Sequence, residues 1–122
     1  MLSWIGLALA WVGALGILGI GIAYLAKNAG NAAGFGLPTS LAPEARGWWQ
    51  VKGIRDATTG ILGIVFILAA RDQLALLLLV LALIPLGDMV IVLANGGNRK
   101  SAYGIHGATA VAMLVAAGLL TV

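Results

Sequence analysis

The chain has no cysteine, so disulfides, thiolate nucleophiles, cysteine-held metals and iron–sulfur clusters are excluded. Charge is scarce as well. Asp, Glu, Lys and Arg make up 9% of the 122 residues, against about 25% in an ordinary soluble domain. A water-exposed surface cannot be built from so few polar groups, which leaves a bilayer as the solvent. Hydrophobic residues make up 61% and the mean hydropathy is +1.06. Four apolar runs of about 20 residues, each the length that crosses a bilayer, use up most of the chain. No separate soluble module fits beside them, so any function has to sit among the helices.

The net charge of +3 and pI near 9.8 do not indicate nucleic acid, because the basic residues are scattered at helix ends and gather on no polar face. Anionic lipid headgroups account for them. The first run has no Lys or Arg before it and stays apolar from Leu2 to Leu25. That exceeds the usual core of a cleaved signal, and it reads as a span.

The expected fold is all-α, a four-helix transmembrane bundle of antiparallel up-down topology forming one domain over 1–122. Its spans fall at about 2–25, 48–70, 74–94 and 102–122, with a turn-rich loop at 28–42. In the first span Gly6, Ala10 and Ala14 form one row of small residues, and Gly13, Gly16 and Gly19 another. Such rows let helices approach closely in lipid, where no hydrophobic drive joins them. Pro43 and Glu44 suit a helix start. Gly53, Gly60 and Gly63 share a face of span two with Asp56. Arg71-Asp72-Gln73 is so short that spans two and three must be neighbours. Pro85 cannot donate to the carbonyl of Leu81 and should interrupt span three. Gly104, Ala108, Ala112 and Ala116 give span four its own small-residue row.

Charge inside these spans is the informative exception. A charged side chain at membrane depth costs about 2.5 to 3.5 kcal/mol on insertion scales, and it marks function by default. Arg55 and Asp56 lie a few residues inside Trp48, Asp88 a few before Asn95, and His106 a few after Lys100. At 1.5 Å per residue all four are roughly 9 to 12 Å deep on one side of the membrane. Three helices thus deliver Arg55, Asp56, Asp88 and His106, the candidate catalytic residues, to one level.

A purely structural reading stands beside this one: Arg55 pairs with Asp56 or Asp88, and the cluster fixes helix register. Lys52 reads first as a residue snorkelling to the headgroups, and Trp48 and Trp49 as an interfacial belt. All three are also candidates for the mouth of a ligand site. Thr58, Thr59, Tyr103 and Thr109 could supply hydroxyls, although Ser and Thr in helices often bond their own backbone. No metal is expected at Asp56, Asp88 and His106, because Arg55 would repel a cation, and no cofactor is implied.

Lys27, Arg46, Arg99 and Lys100 lie on the side of the cluster, against Arg71 on the other. The positive-inside rule then opens the cluster to the cytoplasm and turns both termini outward, in a bacterial plasma membrane.

The segments Gly34-Phe35-Gly36-Leu37-Pro38 and Gly53-Ile54-Arg55-Asp56 with Gly60, together with Asp88 and His106, resemble a family of small four-span membrane proteins. That family is catalogued as a domain of unknown function, of the 4267 type. The resemblance implies that the Arg-Asp, Asp and His positions form one site, and it brings no activity with it.

Three functions fit the sequence. The first binds a small lipophilic molecule and transforms it by acid–base chemistry, as an isomerase, cyclase or epoxide-opening enzyme would. The second is a proton-coupled carrier or efflux component. The third is an accessory subunit whose glycine rows dock a second copy or a partner membrane protein. Membrane lipids are partners in every case, and nucleic acid in none.

Overall fold

The computed structural model describes residues 1–38 and 43–122. It is 89% helix, with no strand among the described residues. Helix α1 spans Leu2–Ala26 and α2 spans Asn28–Phe35; α3 spans Arg46–Ala69, after a 3-10 turn over Pro43–Ala45. A second 3-10 turn, Arg71–Gln73, leads into α4 (Leu74–Leu81) and α5 (Leu83–Ala94). Helix α6 (Arg99–Ser101) runs into a π-helical segment, Ala102–Gly107, and then α7 (Ala108–Leu120).

Three helical stretches are long and apolar enough to cross a membrane: Leu2–Ala26, Arg71–Ala94 and Arg99–Leu120. Helix α3 matches them in length at 24 residues. Every 18-residue stretch within it, however, contains Lys52, Arg55 and Asp56, so it falls short on apolarity alone. The outer surface carries Val12, Leu68, Leu76, Leu83 and Val111, all well exposed. Lipid, not water, accommodates such a surface.

Helix α1 is central, packing on α3 along one side and on α7 along the other, while α4 packs on α7. The row Gly6, Ala10 and Ala14 is buried in these contacts. A Cβ added at Gly21 would run into the amide nitrogen of Ala57, and one at Gly60 would stand 2.7 Å from the carbonyl of Ala14. The backbones of α1 and α3 therefore touch. Beyond them lies a dry core of Leu7, Ala10, Ala14, Ile67, Leu74, Leu78, Ala116 and Ala117. Gly13, Gly16 and Gly19 face open space instead.

Two details differ from the sequence expectation. The segment after α1 is largely helical, since α2 occupies Asn28–Phe35, and Gly36 ends it in the left-handed conformation with φ 100°. Residues 39–42, the rest of the expected loop, lie outside the described residues. In the last span the buried line is Ala102, His106, Ala110, Ala116 and Ala117, while Gly104, Ala108 and Ala112 are exposed. Burial of the imidazole sets the rotation there, and the small-residue row opens a groove instead of receiving a helix. Pro85 interrupts the third span as expected: the helix loosens to a turn at Ala82, one residue past Leu81, whose carbonyl has lost its donor.

Candidate functional site

At one end of the molecule α1, α2, α3, α5 and the π segment bring together two acid–base pairs and three aromatic rings. The construction starts at Gly36. Its φ of 100° is a conformation that L side chains rarely adopt, and a Cβ there would stand 2.6 Å from that of Ser101. The Gly36 carbonyl accepts a hydrogen bond from the Asn98 amide at 2.7 Å. Gly97 lies so close that a Cβ on it would run into that same carbonyl oxygen, and Val92 is fully buried beneath. This junction fastens the end of α2 to the start of the last helical stretch and lays Phe35 over His106.

The imidazole is fixed from two sides. Its Nε2 lies 2.9 Å from the carbonyl oxygen of Phe35, and its ring centroid 4.5 Å from that of the Phe35 ring. A carbonyl can only accept, so Nε2 carries a hydrogen. Nδ1 then faces Oδ2 of Asp88 at 3.8 Å. That separation exceeds a hydrogen bond but lies within ion-pair range. A neutral imidazole would present its lone pair to a carboxylate, which is repulsive. One further proton, on Nδ1 or on Oδ2, makes the contact favourable. The two groups differ in exposure, the His106 side chain at 9% and that of Asp88 at 27%.

A second pair lies on the other side of Phe35. Lys52 Nζ donates to Asp56 Oδ2 one helical turn on, and Asp56 is buried. The ammonium stands 4.7 Å from the centroid of the Tyr24 ring and 5.0 Å from that of Phe35. Trp49 completes the surround, stacked on Tyr24 at 5.6 Å and tilted against Phe35 at 6.1 Å. Among the described residues its buried indole Nε1 has no hydrogen-bond partner. Tyr24 is held in place by donating its hydroxyl proton to the carbonyl of Asn31 at 2.8 Å. The Asn31 amide in turn donates to the carbonyls of Ala23 and Lys27, joining α2 to the end of α1.

The candidate residues thus separate into groups. Asp56, Asp88, His106, Lys52 and Trp49 share this end of the molecule, linked through Phe35. Arg55 and Trp48 are exposed, and among the described residues the ion pairs of Asp56 and Asp88 run to Lys52 and His106. Lys52 lies over the rings with its ammonium on Asp56. A buried carboxylate one turn away on the same helix supplies the attraction that the lipid surface would otherwise provide.

The hydroxyls of Thr58, Thr59 and Thr109 bond their own backbone, to Ile54, Arg55 and Ile105. Tyr103 is exposed and lines an apolar groove of about 760 Å³, formed with Leu9, Leu86, Met89, Val111 and Val115. None of the ionisable candidates lines that groove, since Asp88 and His106 point to the other face of their helices. Among the described residues no three His, Asp or Glu side chains come together as a metal-holding group.

Phe35, Tyr24 and the π segment are the parts that sequence reasoning missed. Phe35 did carry a signal, a lone aromatic residue between Gly34 and Gly36. A π segment is rare and gathers at functional sites. Here it holds His106 and spans residues 102–107, with glycine at 104 and 107.

The chain belongs to the family described as Domain of unknown function (DUF4267), whose sequence model matches residues 14–120. The match takes in every residue of the two acid–base pairs and the three rings around them. No curated protein and no solved structure matches the chain at a significant level.

Proposed function

We propose that this is a four-span antiparallel membrane protein, with α3 as the span that carries charge, and that its Asp88–His106 pair moves a proton on a small lipophilic substrate. The observation that carries this reading is the fixed orientation of His106. With Nε2–H committed to the Phe35 carbonyl, proton exchange is confined to Nδ1 and the partly exposed Asp88. An acid and a base of one site, in unequal surroundings, are what isomerisation, cyclisation or epoxide opening needs, and none of these requires a cofactor. The dry core beyond the cluster favours a one-sided pocket over a transport route, because a proton or solute would find no polar group there. By the positive-inside rule the pocket opens toward the cytoplasm.

The test is untargeted mass spectrometry of membrane extracts from cells expressing the wild-type chain, Asp88→Asn or His106→Gln. The expected result is a lipophilic species that changes to an isomer, or gains one water, only with the wild-type chain. Identical profiles from all three, with each protein folded and at equal level, overturn the reading.

A further inference from the structure

We propose that the Lys52 ammonium is the chain's own occupant of a cation cage, and that this cage takes a lipophilic alkylammonium when Lys52 swings out. The inference rests on reading this cluster as a ligand site and names the ligand class. Two ring faces, Tyr24 and Phe35, stand 4.7 and 5.0 Å from the ammonium. Trp49 packs against both rings, and the buried carboxylate of Asp56 supplies the counter-charge. Aromatic faces around a carboxylate are the chemistry that recognises substituted ammonium groups, since the ring quadrupole presents its negative face to the cation. Anions are disfavoured, because Asp88 adds a second carboxyl group to the same end of the molecule.

Lys52 can leave. Its side chain is 23% exposed, and its four-carbon stem reaches headgroup level from a helix in the membrane. Departure leaves the Asp56 carboxylate unpaired and buried, a costly state that an incoming cation relieves. Val51 and Ile54, on either side of Lys52 along α3, are exposed, so access is across apolar surface and favours an alkyl-bearing cation over a hydrophilic one. The Trp49 Nε1–H at the cage, without a partner among the described residues, would be satisfied by an oxygen acceptor carried near the ligand nitrogen.

The experiment titrates dodecyltrimethylammonium into the full chain in maltoside micelles, reading the probe-dependent thermal shift, with the uncharged isostere 2,2-dimethyltetradecane as control. Removing the resident ammonium by Lys52→Met should tighten binding of the cation about tenfold or more, the range set by loss of a competing cation–π and ion-pair contact. The double variant Lys52→Met/Asp56→Asn should lose that gain, and the isostere should give no comparable shift in any variant. If Lys52→Met does not purify as a monodisperse protein, Lys52→Gln is titrated with the same criterion.

A probe that binds Lys52→Met no tighter than the wild type, or an isostere that matches the cation, overturns the proposal. Soluble dihexanoyl-phosphatidylcholine separates the sources: displacement of the probe assigns a lipid headgroup, and no displacement assigns a free amine. The extract profiles of Asp88→Asn and His106→Gln measure proton transfer independently, so a failed cation titration removes the cage and leaves that reading standing.

Discussion

The carbonyl oxygen of Phe35 and the Nε2 of His106 lie 2.9 Å apart, although 71 residues of chain separate them. A short helix and a π-helical turn meet at this contact, which sets both the direction of the imidazole and the location of its hydrogens. Much of the behaviour expected of the protein follows from it.

His106→Ala leaves the Phe35 carbonyl without a donor and empties the space under the Phe35 ring. An unsatisfied buried polar group costs about 1 to 3 kcal/mol, so thermal unfolding in detergent should shift clearly downward. His106→Gln can keep an N–H directed at the carbonyl but carries no titratable proton, and it should recover most of that stability without recovering activity. A glutamine variant as unstable as the alanine variant would refute the structural part of this account.

Gly36→Ala combines a φ near 100° with a Cβ that would stand 2.6 Å from that of Ser101. Left-handed backbone alone costs a non-glycine residue about 1 to 2 kcal/mol, and the clash adds to it. The variant should be destabilised by about 2 kcal/mol or more. Adding Ser101→Gly should return the part due to the clash and leave the backbone part. A Gly36→Ala protein that melts with the wild type would show that α2 is not fastened as described.

Glycines on opposite faces of α1 should respond oppositely. Gly21→Ala drives a methyl group into the α3 backbone at the Ala57 amide nitrogen, and should lower the melting temperature or prevent folding. Gly16→Ala meets nothing within 4 Å and should be neutral or slightly stabilising, because alanine is the better helix former by about 1 kcal/mol. Equal losses from the two substitutions would contradict the α1–α3 packing.

Trp49→Phe removes the buried indole N–H that has no partner among the described residues and keeps an aromatic ring for the Tyr24 stack. The protein should be as stable as the wild type or more stable, since relief of an orphaned donor offsets the lost area. Marked destabilisation would mean that the N–H is bonded in the protein in solution.

Composition alone determined that this chain belongs in a bilayer and is helical, because 9% charge cannot dress a water-facing surface and runs of about 20 apolar residues admit few other structures. The order of residues also singled out Arg55, Asp56, Asp88 and His106, since ionisable groups within such runs stand out against everything near them. Which groups pair was decided only in three dimensions. Lys52 and Arg55 are near neighbours on one helix, and the rotation of α3 against α1, set by the touching glycines, turns Lys52 over the rings and Arg55 outward. The role of the Phe35 carbonyl was equally invisible, because a main-chain group leaves no mark in a sequence. It came to matter only when a left-handed glycine and a close glycine contact laid α2 across the imidazole.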